Sequence, residues 1–248
     1  MSGDHYSYTV YADPGMADTF DALRFSGPIG TLLAESQERV LTQFLGPVEG
    51  RRVLDVGTGT GRAALAIARR GADVTGIDAS AEMLRVARDR ALAQRVPVTF
   101  DTGDAHHLAF PDRSFTAAVS LRVLMHTPDW RQCLGELCRV STERVVFDYP
   151  AALSAAALQA VGRSLLARLG RRVEAYRVMR GGAIRQALGV RGFRIERVHK
   201  QFVLPIALHK AIGSRAFTRT VEGALAAIGL LRLFGSPVTV VAVRCEPS

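Results

Sequence analysis

Residues 52–61 read RVLDVGTGTG, and this stretch decides the fold class of the chain. An apolar run ends in Asp55, three alternating glycines follow, and the alanine-rich residues 62–68 continue the pattern. Such an order predicts a buried strand, a tight turn and a helix. Glycine has no Cβ, so the turn can bend sharply and let a ligand approach the backbone. The unpaired N–H groups at the start of the helix then face the polar end of that ligand.

The spacing of the glycines separates two kinds of nucleotide site. Dinucleotide-binding turns follow G-x-G-x-x-G, and here Arg62 takes the third glycine position. The observed order, Asp-x-Gly-x-Gly-x-Gly, instead resembles motif I of the class I S-adenosylmethionine (SAM) dependent methyltransferases. The resemblance implies that the cofactor is SAM and that this turn contacts it through Asp55, Gly57, Thr58, Gly59 and Gly61.

The second predicted strand, residues 73–78, also ends in an acid. Asp78 lies 21 residues after Gly57, where a carboxylate can accept hydrogen bonds from both ribose hydroxyls of an adenosine. NAD sites use the same arrangement, so Asp78 alone does not discriminate between the two cofactors. Ala79 follows directly and is included in the predicted cofactor site.

Residues 102–105, Thr-Gly-Asp-Ala, resemble the adenine-reading segment of the ubiquinone and menaquinone biosynthesis group of these methyltransferases. The resemblance implies that Asp104 accepts a hydrogen bond from the adenine amino group. It also implies that the backbone N–H of Ala105 meets a ring nitrogen. Leu121, directly after the fourth predicted strand (115–120), is also included in the predicted cofactor site.

The segment from Tyr11 to Gly30, with Phe20, Asp21, Arg24 and Phe25 between them, resembles the N-terminal lead-in of the same group, which covers the cofactor. By that resemblance, Tyr11 and Arg24 are candidates to touch the carboxylate of SAM. A surface or packing role for either residue fits the sequence equally well.

Residues 121–140 also resemble this group, and they place His126 just past the fourth strand, beside the site of methyl transfer. His126 is therefore a candidate general base, with a structural role in fixing the loop as the alternative. A helix is predicted to follow, with Thr127 as its N-cap and Pro128 as its first residue. The fifth predicted strand, 144–150, places two further candidate bases, Asp148 and Tyr149, near the acceptor pocket.

Metal-binding and disulfide patterns are missing from the sequence. His106 and His107 are interpreted as loop residues at the rim, because no further ligand cluster accompanies them. The three cysteines form no C-x-x-C motif, which indicates reduced thiols. The first residues lack the pattern of a signal peptide, and no long apolar run predicts a transmembrane helix. We therefore expect a cytoplasmic protein with no metal.

The chain is predicted to form one α/β domain: a Rossmann-like, mainly parallel sheet of seven strands with helices on both faces. Residues 1–45 would form a lid, 46–150 the SAM-binding core and 151–248 a basic acceptor-side region. A helix is expected over 152–169. A helical insertion, 206–234, is expected between strand six and an antiparallel strand seven.

Positive charge is concentrated at one end of the chain. Residues 1–150 have 16 Arg and no Lys against 19 acids, and residues 151–248 have 14 Arg and 2 Lys against 4 acids. A solvated surface, peripheral contact with anionic lipid headgroups and RNA binding all fit this excess. Nucleic acid is not favoured, because neither interleaved aromatic residues nor an added RNA-binding module occurs. The sequence leaves the oligomeric state open.

These patterns together predict a SAM-dependent methyltransferase acting on oxygen or carbon of a small, hydrophobic or lipid-linked acceptor. The lack of an Asn-Pro-Pro-Tyr-like segment argues against methylation of amino groups on bases or glutamine. A SAM-binding regulator without catalysis would share the cofactor motifs. A nicotinamide oxidoreductase would need the glycine spacing that Arg62 interrupts, and the sequence also lacks a Tyr-x-x-x-Lys motif.

Overall fold

The computed structural model describes residues 14–157 and 176–245. Within these ranges seven strands form one sheet, in the order β3-β2-β1-β4-β5-β7-β6. The strands are β1 (Arg52–Val56), β2 (Asp73–Asp78), β3 (Thr99–Thr102), β4 (Phe115–Ser120), β5 (Ser141–Tyr149), β6 (Phe193–Phe202) and β7 (Ser236–Arg244).

Helices cover both faces of this sheet. They are α1 (Pro14–Phe25), α2 (Gly27–Leu45), α3 (Arg62–Ala68), α4 (Ala81–Gln94), α5 (Trp130–Val140), α6 (Gly181–Gly189), α7 (Ile206–Ile212), α8 (Arg215–Ala227) and α9 (Leu230–Phe234). The predicted Rossmann-like architecture is confirmed, including the helical insertion, α7–α9, between β6 and β7.

Strand direction explains where a ligand can bind. Strands β1 to β5 are parallel, and only β7 runs antiparallel to its neighbours β5 and β6. The central strands β1 and β4 are buried on both faces, which is why their residues are apolar almost throughout. The carboxyl ends of the parallel strands therefore meet at one edge, where ligands bind in open α/β sheets.

Two apolar cores lie on opposite faces of the sheet. Residues of α2, α3 and α4 pack on one face, and residues of α5 and α6 pack on the other. Within the described ranges, no helix is long and apolar enough to cross a membrane. The helix predicted over 152–169 falls largely outside the described residues.

The predicted start of α5 is wrong. Asp129, not Thr127, caps this helix, and its carboxylate accepts the N–H groups of Arg131 and Gln132 at 2.9 and 3.2 Å. The Thr127 hydroxyl instead donates to the carbonyl of Leu124 at 3.0 Å, because a short 3₁₀ turn, Leu124–His126, precedes it.

The insertion is held to the end of β6 by a buried polar network. The Nε2 atom of His209, which is fully buried, lies 2.9 Å from Oε1 of Glu222. The Glu222 carboxylate also accepts the backbone N–H groups of Val203 and Leu204 at 2.8 and 3.0 Å. Buried carboxylates are tolerated when they are paired in this way. The network therefore positions α7 and α8 relative to the sheet.

Candidate active site

A cavity opens above the carboxyl ends of β1, β2 and β4 and encloses about 1240 Å³ of empty space, part of it open to solvent. We call it the first cavity. Its walls include nine of the residues predicted to bind the cofactor: Arg24, Asp55, Gly57, Thr58, Gly59, Asp78, Ala79, Ala105 and Leu121. Tyr11 lies outside the described residues.

Asp55 lies at the floor of the first cavity and is almost completely buried. The Thr58 hydroxyl donates to its Oδ2 atom at 2.7 Å. Burial raises the pKa of Asp55 to about 6, although the hydrogen bonds from Thr58 and the Ala64 backbone act in the opposite direction. A buried carboxylate at this position favours a positively charged ligand group above it.

Asp78 is hydrogen-bonded to the glycine turn and also lines the first cavity. Its Oδ2 atom accepts the Gly59 N–H at 2.8 Å, and its Oδ1 atom accepts the Ser80 N–H at 2.9 Å. Burial raises the pKa of Asp78, and these backbone hydrogen bonds limit the rise. Each carboxylate oxygen has a further lone pair, so the group has the capacity to accept two ligand hydroxyls as well.

The glycines of the turn have different structural roles. Gly57 has φ +71°, and a Cβ there would lie 2.3 Å from Cγ2 of Val123. Gly59 has φ +55°, but a Cβ there would meet nothing within 4 Å, since this residue faces the first cavity. Gly61 does not line the first cavity: its absent Cβ leaves room for Ala87 and Phe100, at 3.0 and 3.1 Å. Gly61 therefore serves helix packing, and its predicted cofactor contact stays a prediction.

The adenine-side loop also differs from the prediction. His106 is buried and lines the first cavity, whereas His107 is exposed at the rim as expected. The backbone N–H and the Nδ1 atom of His106 both lie 2.9 Å from Oδ1 of Asp104. Burial opposes ionisation of Asp104, but these His106 contacts prevail and lower the pKa of the carboxyl. Asp104 thus orients His106, and its contact with adenine stays a prediction.

Helix α1 is attached to the glycine turn as a cover over the first cavity. The Asp21 carboxylate forms an ion pair with Arg90 and accepts the Thr60 hydroxyl at 3.1 Å. The Arg62 guanidinium lies 3.6 Å from the centroid of the Phe25 ring. Nothing in the local sequence of Asp21 indicates these partners, which lie 39 and 69 residues away.

We expect Asp21→Asn to loosen helix α1, because it removes the charge that holds the helix to Arg90. Hydrogen exchange of the α1 amides should become about tenfold faster, which corresponds to a loss of about 1.4 kcal/mol in the local opening energy. Asp18→Asn is the matched control, because the Asp18–Arg85 ion pair has side chains 59% and 45% exposed. Exposed pairs contribute little. Equal effects of the two substitutions would contradict the role of Asp21.

A second cavity adjoins the first. Five residues line both, and they form the junction between the cavities: Arg24, Phe25, Gln37, Arg122 and His126. The remaining walls of the second cavity come from α2, from β5 to β7, from α7 and from Tyr176. Helix α7 also touches the cover, since Nζ of Lys210 donates to the carbonyls of Leu23 and Arg24 at 3.3 and 3.0 Å.

Arg122 is a junction residue that the sequence did not indicate. Its backbone has φ +65°, a left-handed conformation that is uncommon for residues other than glycine. The Arg122 N–H donates to Oδ1 of Asp148 at 2.5 Å, which holds this conformation. Burial raises the pKa of Asp148, and the charge and N–H of Arg122 counteract the rise.

The three candidate bases are placed differently by the fold. His126 lies at the junction and Asp148 lines the second cavity. Tyr149 lines neither cavity: it is buried in the apolar core on the other face of the sheet, stacked on Phe147 with ring centroids 6.4 Å apart. Successive strand residues point to opposite faces, so Asp148 and Tyr149 cannot both face the acceptor.

The raised pKa of Asp55 predicts a pH-dependent stability. A folded-state pKa of about 6, above the ordinary 3.8, means that the folded chain holds this proton more tightly than the unfolded chain. The contribution is therefore fully present below pH 4 and is lost as the pH rises to 6. Between pH 4 and 7, we expect the unfolding free energy of the wild type to fall by about 2–3 kcal/mol relative to Asp55→Asn. Urea denaturation without cofactor measures this difference, and a difference independent of pH would contradict the pKa shift.

Comparison with known proteins agrees with this geometry. The family model described as "Methyltransferase domain" matches residues 53–143. The solved structure of magnesium protoporphyrin IX methyltransferase from Synechocystis PCC 6803, which contains bound SAH, superposes with a TM-score of 0.67. It is 20% identical in sequence, and the match covers 96% of this chain and 98% of that one. The chain thus has the fold of the class I methyltransferases, and its residues 53–143 are similar to the methyltransferase-domain family.

Two curated relatives are similar over part of their length. Methyltransferase GfsG of Streptomyces halstedii is 35% identical over 146 residues, which cover 56% of this chain and 48% of that protein. The ubiquinone biosynthesis O-methyltransferase of Alkalilimnicola ehrlichii is 48% identical over 90 residues, 36% of each chain. The predicted resemblance to the ubiquinone biosynthesis group is confirmed, although the chain spans about half or less of the length of these relatives.

The residues of the first cavity fit SAM. Asp78 has carboxylate lone pairs available for ligand hydroxyls, Ala105 lines the same cavity, and Gly59 leaves open space beside the backbone. The buried Asp55 carboxylate suits the cationic methionine end of such a ligand. Among the described residues, no group of three or more His, Cys, Asp or Glu side chains could hold a metal ion.

Proposed function

We propose that this protein is a SAM-dependent methyltransferase that modifies oxygen or carbon of a small, hydrophobic or lipid-linked acceptor. The observation that carries the proposal is the pair of adjoining cavities with a shared wall at Arg122 and His126. The first cavity fits the cofactor, and the second has room for an acceptor next to it. Such a junction is what direct transfer between two bound molecules requires.

When bound, SAM supplies an electrophilic methyl group on a sulfonium and leaves as the neutral thioether S-adenosylhomocysteine (SAH). The residues proposed to hold it are Asp78 at the ribose, Ala105 at the adenine and Asp55 near the methionine end. Arg24, in the wall of the first cavity, is the proposed contact of the methionine carboxylate. Tyr11 is kept as a prediction for the same carboxylate.

The chain's own contribution is alignment, exclusion of water and removal of one proton. Helix α1 covers the cavities, and Asp21 and Lys210 hold it in place. For a hydroxyl acceptor, the new bond joins the methyl carbon to the acceptor oxygen while the carbon–sulfur bond breaks, and the hydroxyl proton goes to a base. His126 at the junction is our first candidate for that base, and Asp148 is the second.

An acceptor screen tests the proposal. Purified protein is incubated with SAM and with phenols, hydroquinones and lipid-linked quinols, and SAH and the methylated product are followed by mass spectrometry. We expect acceptor-dependent SAH and a product heavier by one methylene. Binding of SAM without turnover on any acceptor would instead support a SAM-binding regulator, and failure to bind SAM would overturn the proposal.

His126→Ala separates a base from a structural residue. If His126 removes the proton, kcat should fall about 100-fold or more while the Kd for SAH stays unchanged. The pH profile should also lose its histidine limb. His107→Ala is the matched control, because His107 is exposed and lines neither cavity. A weaker affinity for SAH at unchanged kcat would assign His126 to loop structure.

We also propose peripheral contact with an anionic membrane through the insertion. Its helices and connecting residues expose several large apolar side chains: Leu208, Ile212, Ile228, Leu233 and Phe234. Arg219 and Arg232 are exposed in the same segment. Apolar side chains beside arginine suit an interface with anionic lipid. Cosedimentation should show binding to phosphatidylglycerol vesicles, weaker binding to pure phosphatidylcholine and loss of binding in Ile228→Ser/Leu233→Ser.

A further inference from the structure

The floor of the second cavity contains polar side chains in register across three strands. Asp148 on β5 pairs with Thr239 on β7, and Thr239 pairs with His199 on β6. All three line the second cavity. Paired residues on neighbouring strands present their side chains on the same face, and the strands are about 4.8 Å apart. The three side chains therefore form a line about 10 Å long.

The same face of the sheet is apolar next to this line, on the side that is nearer the middle of the strands. Val146 on β5 and Val241 on β7 lie two residues from Asp148 and Thr239, pair with each other and are fully buried. Side chains two residues apart in a strand share a face. The face therefore changes from aliphatic to polar where the second cavity begins, and polar groups removed from water need a hydrogen-bonding partner.

Gln201 lies beside the end of this line, two residues after His199 along β6, and also lines the second cavity. Its Nε2 atom is shielded from solvent and has no hydrogen-bond partner among the described residues. A buried donor without an acceptor is destabilising, and a ligand oxygen at this point would remove the penalty. We call Asp148, Thr239, His199 and Gln201 the polar row.

The polar row itself presents mainly uncharged hydrogen-bonding groups to a ligand. Burial, with a smaller effect of Arg39, lowers the pKa of His199, so its ring offers one donor and one acceptor at neutral pH. Asp148 disfavours an anion. The ammonium of Lys210 is already directed to two carbonyls of α1, and the other two cationic residues of the second cavity, Arg24 and Arg122, lie at its junction with the first cavity. Mixed donors and acceptors of this kind match hydroxyl and carbonyl oxygens.

Apolar side chains also line the second cavity, beside polar residues such as Ser36, Gln37 and Tyr176. Phe25 comes from α1, Leu33 and Val40 come from α2, and Ile206 and Pro237 come from α7 and the start of β7. A ligand that fills this space therefore needs one polar edge, and the rest of its surface can be apolar.

We propose that the polar row selects an acceptor with an apolar body and one edge that carries at least two uncharged oxygen groups, hydroxyl or carbonyl. The inference rests on the proposed function in taking the second cavity as the acceptor site. Thr239, His199 and Gln201 are specificity-determining residues in this proposal. They bind the polar edge and so orient the atom to be methylated toward the junction.

Three matched probes test the inference: 5-pentylresorcinol, 3-pentylphenol and pentylbenzene, which carry two, one and no hydroxyls on the same body. In the diol, the two oxygens are separated by about one strand spacing of 4.8 Å. Affinities are measured by saturation-transfer NMR on protein saturated with SAH, so that the probes cannot enter the first cavity. We expect the diol to bind about tenfold more tightly than the phenol, with pentylbenzene weakest.

Substitutions then test which residues cause the tighter binding of the diol. Thr239→Val and Gln201→Met, alone and together, should each reduce the advantage of the diol several-fold and leave the Kd for SAH unchanged. Thr99→Val and Gln186→Met are the controls, since both residues are exposed and line neither cavity. Equal affinities of the three probes, or no binding of the diol to SAH-bound protein, would overturn the inference. Failure of SAH itself to bind would instead count against the proposed function.

Discussion

Replacing Gly57 by alanine is expected to lower the free energy of unfolding by about 2–5 kcal/mol. The left-handed φ of +71° costs an alanine about 1–2 kcal/mol. The new Cβ would also lie 2.3 Å from Cγ2 of Val123, which cannot be accommodated without a shift of the loop after β4. Because Leu121 and Arg122 belong to that loop, SAH affinity should fall together with stability. Chemical denaturation and calorimetric titration measure the two effects.

Two further variants separate strain from overlap at Gly57. Gly59→Ala has the same left-handed strain but an unobstructed Cβ, so its stability should fall by only about 1–2 kcal/mol. Val123→Ala in the Gly57→Ala background should restore the part of the lost unfolding free energy that is due to the steric overlap. If Gly57→Ala is no more destabilising than Gly59→Ala, the contact with Val123 does not determine the effect.

Asp78→Ala is expected to weaken binding of SAM and SAH about 100-fold or more. Hydrogen bonds to a charged group contribute about 1.5–3 kcal/mol each, and the substitution removes two proposed bonds to the ribose. It also removes the acceptors of the Gly59 and Ser80 N–H groups, so the turn loses its support. Isothermal titration with each ligand measures the change.

Two controls accompany Asp78→Ala. Asp78→Asn keeps the side-chain shape and one acceptor oxygen, but its amide NH₂ group faces one of the two backbone N–H donors. Its affinity for SAH should therefore lie between those of the wild type and the alanine variant. Asp73→Asn changes an exposed acid at the other end of β2 and should leave affinity unchanged. An unaltered SAH affinity in Asp78→Ala would exclude the proposed ribose contact.

The cofactor half of the molecule was predictable because its signals are local. A strand, a glycine turn and a helix follow one another directly at residues 52–68, and Asp78 marks the end of the next strand. In a parallel sheet, these strand ends meet at one edge whatever the rest of the chain does. The predicted positions of Asp55, Gly59 and Asp78 in one cavity therefore follow from the order of residues, together with the fold class.

The errors occurred where a residue's role depends on distant partners. His106 reads as a rim residue, but folding of the loop buries it against Asp104. Thr127 is a good N-cap in sequence, but its hydroxyl is used by the preceding 3₁₀ turn. In each case, a contact formed only in the folded chain overrides the local preference.

The sequence by itself determined the sheet class, the position of the cofactor turn and the helical insertion, since hydrophobic periodicity and glycine spacing act over short distances. Only the tertiary structure decided the acceptor half. Asp148, Thr239 and His199 come together because β7 inserts antiparallel between β5 and β6. Strand alternation then turned Asp148 toward the second cavity and Tyr149 into the opposite core. Pairing register and strand order are set by long-range packing, which no local pattern in the sequence specifies.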